Sequence, residues 1–283
     1  MDVSTDIRDF LTTRRARLKP QDVELPSYGG RRRVAGLRRE EVALLAGISV
    51  EYYTRLERGN AAGASEDVLE GVASALRLDD AERSHLFDLV RTANSSTAPP
   101  RRRPSQERVR PNVQLVIDSV NAPAYVRNGR LDILAANDLG RSLYSPVFDD
   151  RGPGSPNMAR FIFLNPDATE FFVDWETAAS DVVAILRAEA GRDPYDRRLS
   201  DLIGELSTRS DEFRVRWAAH NVKFHRGGKK ELNHPIVGRV TLSYESLELP
   251  NDGQRINIYT AEPHSRSQEA LDLLVSWSST VSP

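Results

Sequence analysis

The chain has 283 residues, with 39 Lys+Arg against 41 Asp+Glu, five histidines and no cysteine. Without cysteine there is no disulfide framework and no thiolate metal site, which suits a reducing cytoplasm. The apolar runs fall far short of a membrane span and the opening Met1-Asp-Val-Ser-Thr-Asp does not read as a signal peptide, so a cytoplasmic protein with no membrane partner is expected.

This length predicts two domains. The first 110 residues carry a slight basic excess and the rest an acidic one, too modest a bias to name a partner. An Arg-rich amphipathic helix is predicted over Asp6 to Leu18. After it, Lys19 to Ala35 holds Gly29-Gly30 and then Arg31, Arg32 and Arg33, a loop that can either reach DNA phosphates or a minor groove or stay a solvated charge run.

Next, Val42, Leu45 and Ala46 repeat at i, i+3, i+4 and predict a helix from Arg38 to Ala46 with that stripe inward. Gly47 follows where a positive φ costs glycine little, Ile48 plugs the core, and Ser49 caps a second helix. In that helix Tyr53 and Leu56 face inward, leaving Val50, Glu51, Tyr52 and Arg55 on the side a major groove would meet. Glu57 is expected to pair with an arginine of the first helix, Arg15, because DNA phosphates repel a carboxylate. Helices over Glu66–Leu76 and Asp80–Ala93 complete an all-α, five-helix domain over residues 1–94 with the order of a helix-turn-helix unit.

Residues 95–111 carry prolines, small polar residues and five arginines with no apolar period, and read as a linker. From 112 to 283 the pattern is mixed. A helix ends before Pro123; Ala124–Arg127, an Asn128-Gly129 turn and Leu131–Ala136 form a hairpin; Asn137 caps a helix to about Tyr144. Helical spacing then covers 157–164, 166–190, 194–207 and 211–220. The period changes to two for Val222–His225, a Gly227-Gly228 turn, Lys230–His234, Gly238–Leu249 and Gln254–Ala261, before a last helix over Gln268–Trp277. Helices over one face of an antiparallel sheet make an α+β fold, and the order strand, Asn-Gly turn, strand, Asn-capped helix resembles the opening of a PAS domain, so a PAS-like domain is expected. Phe161, Leu164, Phe172, Trp175 and Leu186 are candidates to line a pocket, with plain core as the alternative. Arg160, in an otherwise apolar helix, either pairs with a carboxylate of the protein, the favoured reading, or anchors an acidic head group.

No histidine pair has zinc spacing, and no nucleophile elbow, phosphate-cradling loop or dinucleotide fingerprint is present, so no enzyme is expected. His225 and His234 are expected to face each other across a hairpin only as packing residues.

The string Gly36-Leu-Arg-Arg-Glu-Glu-Val-Ala-Leu-Leu-Ala-Gly-Ile-Ser-Val-Glu-Tyr-Tyr-Thr-Arg-Leu-Glu-Arg-Gly59 resembles the Xre/Cro/C1-type helix-turn-helix and, more narrowly, the MmyB-like regulators. Arg130–Asn137, Asn157–Pro166, Ala190–Pro194, His234–Gly238 and Tyr259–Pro263 are similar to the second half of that family. The resemblance implies base-edge contacts at Val50, Glu51 and Arg55, and DNA-backbone contacts at Arg39, Ser49 and Tyr52. Arg38 and Arg39 stand where the family usually has Ser/Thr and Gln, a change that favours phosphate binding by charge. It implies a PAS-like domain for a small apolar, fatty-acid-like ligand, no other cofactor, a double-stranded DNA operator and a homodimer on paired half-sites. The alternative is a DNA-binding regulator whose second domain serves only dimerisation or protein docking.

Overall fold

The computed structural model describes residues 2–23, 34, 36–94, 108–150, 154–219, 227–250 and 253–281. Contacts divide the chain into two compact units, residues 1–100 with 187–200 and 215–224, and residues 101–186 with 201–214 and 225–283.

The chain opens with α1 (Val3–Arg17), α2 (Arg39–Leu45), α3 (Val50–Glu57), α4 (Glu66–Ala75) and α5 (Asp80–Asn94). Their starts follow from local chemistry: Asp2, Ser49 and Ser65 each accept a backbone N–H from the first turn of α1, α3 and α4. Helix α2 has no such cap. Instead the Glu41 carboxylate reaches back 2.6 Å to the Arg38 N–H. Ile7, Phe10 and Leu11 of α1 meet Leu37, Val42, Tyr53, Leu56 and Leu86 in one core. One expectation fails here. Leu45 is 37% exposed, because α2 packs against both α3 and α4 and turns Val42, Ala43 and Ala46 inward, leaving Leu45 beside the stripe.

After the linker come α6 (Pro111–Ser119), β1 (Ala124–Arg127), β2 (Ile133–Ala136), α7 (Asp138–Leu143), α8 (Ser145–Phe148), α9 (Met158–Leu164), α10 (Ala168–Phe171), α11 (Trp175–Arg192), α12 (Arg197–Arg209), α13 (Asp211–Ala218), β3 (Gly227–His234), β4 (Gly238–Leu249), β5 (Gln254–Thr260) and α14 (Arg266–Val281). The strands form one antiparallel five-stranded sheet in the order β2-β1-β5-β4-β3. Alternation assigns its faces. Ala124, Val126, Ala135 and Ile256 pack against Val113 and Ile117 of α6. Tyr125, Tyr244 and Tyr259 point the other way, against Tyr144 and, through it, Phe171. Helices therefore cover both faces, where the sequence pattern suggested one.

Three further local expectations are corrected. The helical run over 166–190 is broken between α10 and α11, because Phe172 bridges Leu232 and the Val173 N–H donates to the Glu231 carbonyl at 3.2 Å, drawing this segment onto the edge strand β3. Gly227 and Gly228 are not a turn but the start of β3, opposite Glu245 and Tyr244; a Cβ on Gly227 would lie 2.8 Å from the Tyr244 carbonyl oxygen, so glycine here permits close strand approach. The Asn128-Gly129 connection is not a two-residue turn. It extends to Asp132, with the Asn128 carboxamide oxygen accepting the Arg130 and Asp132 N–H groups. The expected strand at Val222–His225, and with it the facing of His225 and His234, lies outside the described residues.

Candidate nucleic-acid interface and buried second-domain face

Gly47 adopts φ +68° between α2 and α3, and the chain reverses so that α3 presents a partly solvent-facing side. Tyr53 and Leu56 are buried, while Val50, Glu51 and Arg55 are exposed and Tyr52 half-buried, as the period of α3 predicts. The Arg55 guanidinium lies 4.7 Å over the Tyr52 ring, a contact that restricts its rotamers. Val50, Glu51, Thr54, Arg55, Arg58 and Asn60 line a shallow depression of ≈ 500 Å³. Thr54 and Arg58 follow Val50 at i+4 and i+8 and so share this side, whereas Asn60 sits past the end of the helix, where helical period no longer reports direction.

Glu57, 1% exposed, is turned wholly inward. Arg15 donates to it at 2.7 and 3.2 Å, Arg39 at 2.9 Å and Thr12 at 3.0 Å. Burial alone pushes the carboxyl up, but the two guanidiniums and their hydrogen bonds more than reverse this and hold it below its ordinary value. The Arg15 pairing is as expected. Arg39 is the addition: its side chain keeps 46% exposure while one edge is clamped by Glu57, which aims it outward beside α3. Arg38 pairs with Glu40 at 3.1 Å on the surface, and Ser49 is committed to its cap while remaining exposed. Arg31, Arg32 and Arg33 lie outside the described residues.

In the second unit Arg160 donates to Glu205 at 2.9 Å, the internal pair favoured by its sequence context. Phe161 and Phe172 are buried with rings 6.2 Å apart, Leu186 is buried, Leu164 is half-buried, and the Trp175 indole N–H donates to the Ile162 carbonyl at 3.0 Å. Phe161 packs against both Phe171 and Phe172, of which Phe172 bridges directly to Leu232 of β3; Trp175 instead sits against Phe163. The polar half of this interior has no local signature, because its strand members are gathered from β1, β3, β4 and β5. Asn257 donates to the Tyr125 hydroxyl at 3.0 Å and accepts from Ser246, and Lys230 Nζ lies 5.6 and 5.4 Å over the rings of Phe172 and Tyr244. Burial raises the Tyr144 and Tyr259 hydroxyls, which stay protonated, and lowers the Lys230 ammonium to about 8, with Arg127 adding to the fall and Asp181 opposing it. His234 is a satisfied core histidine: its Nε2 is 2.9 Å from the Ser142 carbonyl, its Nδ1 accepts the Ile236 N–H, and burial lowers its pKa.

Among the described residues no helix is long and apolar enough to cross a membrane. Residues 6–86 match a helix-turn-helix domain family, and residues 109–274 match the MmyB-like transcription regulator ligand binding domain family. A search of curated proteins finds no match. Both matching families are regulator domains rather than enzymes, and the second spans more than half of the chain. The chain belongs to the MmyB-like transcription regulators, DNA-binding proteins that join a helix-turn-helix domain to a ligand-binding domain.

Proposed function

We propose that this protein is a cytoplasmic, homodimeric regulator whose second domain binds a small apolar, fatty-acid-like ligand, and that the ligand changes operator affinity. Val50, Glu51 and Arg55 read base edges. Arg38, Arg39, Ser49 and Tyr52, with Arg31 to Arg33, contact the DNA backbone. Phe161 and Phe172, with Leu164, Trp175 and Leu186 around them, form the apolar wall for the ligand.

The observation that carries the reading is the division of labour in α3. Of its two carboxylates, Glu57 is neutralised inside the domain, while the exposed side keeps an arginine, the carboxylate of Glu51 and an apolar residue. Those groups match guanine O6/N7, cytosine N4 and a thymine methyl respectively. The chemistry of the second domain is set by its buried aromatic interior.

Native mass spectrometry of the purified protein, followed by fluorescence anisotropy on DNA selected from a random pool, tests this. A retained small molecule whose removal changes DNA affinity is expected. If none is retained and added long-chain acids leave DNA affinity unchanged, the second domain is a dimerisation or docking module instead.

A further inference from the structure

We propose that α6 and the strand surface beside it form the face through which two copies of this chain pair about a two-fold axis, with their α6 helices antiparallel. This rests on the homodimer reading above and adds to it the surface and the sense of the pairing.

Helix α6 is apolar on two sides. Val113 and Ile117 turn inward onto Ala124, Val126 and Ile256, while Leu115 and Val116, 67% and 54% exposed, turn away from the sheet. Asp118 is the one charged residue of the helix. A helix with apolar residues all round is normally buried, yet within one chain the sheet covers only the inner side of this one. The outer patch continues onto the sheet. Leu247 pairs with Ile256, so it shares the α6 face, and it is 50% exposed. An exposed apolar patch rimmed by charge marks a protein-binding surface.

The occupant follows from how that charge is arranged. At one end Gln254 Nε2 donates to the Arg108 carbonyl at 3.5 Å; at the other the Asn137 amide donates to the Ile117 carbonyl at 3.0 Å while its oxygen accepts the Ala124 N–H. Helix α6 therefore runs along β5 from Gln254 toward Ile258, which pairs with Ala124 on one side and Glu245 on the other. Exposed Arg108 and Arg110 thus lie at the first end of the patch and exposed Asp118 and Glu245 at the second, with Leu115, Val116 and Leu247 between them. A two-fold axis across α6 near Leu115 sets the basic end of each copy against the acidic end of the other and brings the apolar middles together. That is the self-complementarity an isologous interface requires, and a parallel pairing would instead oppose like charges.

The test is analytical ultracentrifugation of the full-length protein without DNA. Leu115→Asp combined with Leu247→Asp is expected to weaken the dimer about ten-fold or more, the scale of losing two buried leucines, with far-UV circular dichroism unchanged because both side chains lie on the surface of the single chain. At low salt Asp118→Arg and Arg110→Glu are each expected to weaken it about five-fold, since symmetry repeats every contact twice. An equimolar mixture of these two single variants is expected to recover wild-type affinity as a heterodimer, because opposite charges then face each other at both ends. A wild-type dimer unaffected by the leucine substitutions, or charge variants whose mixture gains nothing, overturns this face and leaves the homodimer reading standing. Leucine substitutions that lower the melting temperature without changing the mass show that the chain covers the patch itself, and overturn it likewise. A wild-type monomer at every concentration overturns the homodimer reading and this face with it.

Discussion

Glu57 shows how one buried carboxylate can organise a DNA-binding surface. It closes the motif from inside, tying α1 through Arg15 and Thr12, and steadies Arg39 at the outer edge. Removing it leaves a 13%-exposed guanidinium, Arg15, without its carboxylate, so Glu57→Ala should cost about 3–5 kcal/mol of unfolding free energy by chemical denaturation. Its folded pKa is depressed, so its contribution is present above the ordinary carboxylate value and lost as pH falls through the lowered one. Wild-type stability should accordingly fall more steeply in that acid window than the stability of Glu57→Gln. Arg55 sits outside this network. Arg55→Ala should cost about 1–3 kcal/mol in DNA affinity and relax specificity at one base position, whereas a uniform loss on every sequence would assign it to phosphate.

Two glycines at the ends of α3 are required for different reasons. Gly47 is in the left-handed region with nothing near its missing side chain, so Gly47→Ala should cost only the backbone term, about 1–2 kcal/mol. Gly59, at φ +90°, would place a Cβ 2.1 Å from the Ser4 carbonyl oxygen, so Gly59→Ala should destabilise markedly more, with thermal unfolding of both variants as the comparison. In the second unit Asn137 joins three elements: its carboxamide oxygen accepts from Ala124 and Gly140, and its amide donates to the carbonyls of Ile117 and Ala122. The sequence marks Asn137 as a cap through its position before a helical run. The links to α6 and β1 come from residues 13 to 20 positions away and leave no local trace. The break between α10 and α11 is hidden for the same reason, since it is made by pairing with β3, about 60 residues later in the chain.

At the scale of the whole protein, a ligand that binds only the folded second domain must stabilise it, by about 2.7 kcal/mol at a hundred times its dissociation constant. Absence of any melting shift with saturating long-chain acid would contradict the proposed function. The chain's own residues determined a good deal. Helical period, caps and the Gly47 turn were sufficient to assign the motif and its outward side, because each is a relation between residues a few positions apart. The inward pairing of Glu57 with Arg15 was also legible, since like charges exclude a carboxylate from a phosphate surface. Tertiary structure alone decided that Arg39 shares that carboxylate, that Leu45 faces out, and that Gly227-Gly228 begins a strand. It alone gathered Lys230, Arg127, Tyr244 and Tyr259 onto one sheet face. A period of two tells which residues of a strand share a side but not which strands lie together, and strand order and register, set by packing of the whole sheet, supplied that second half.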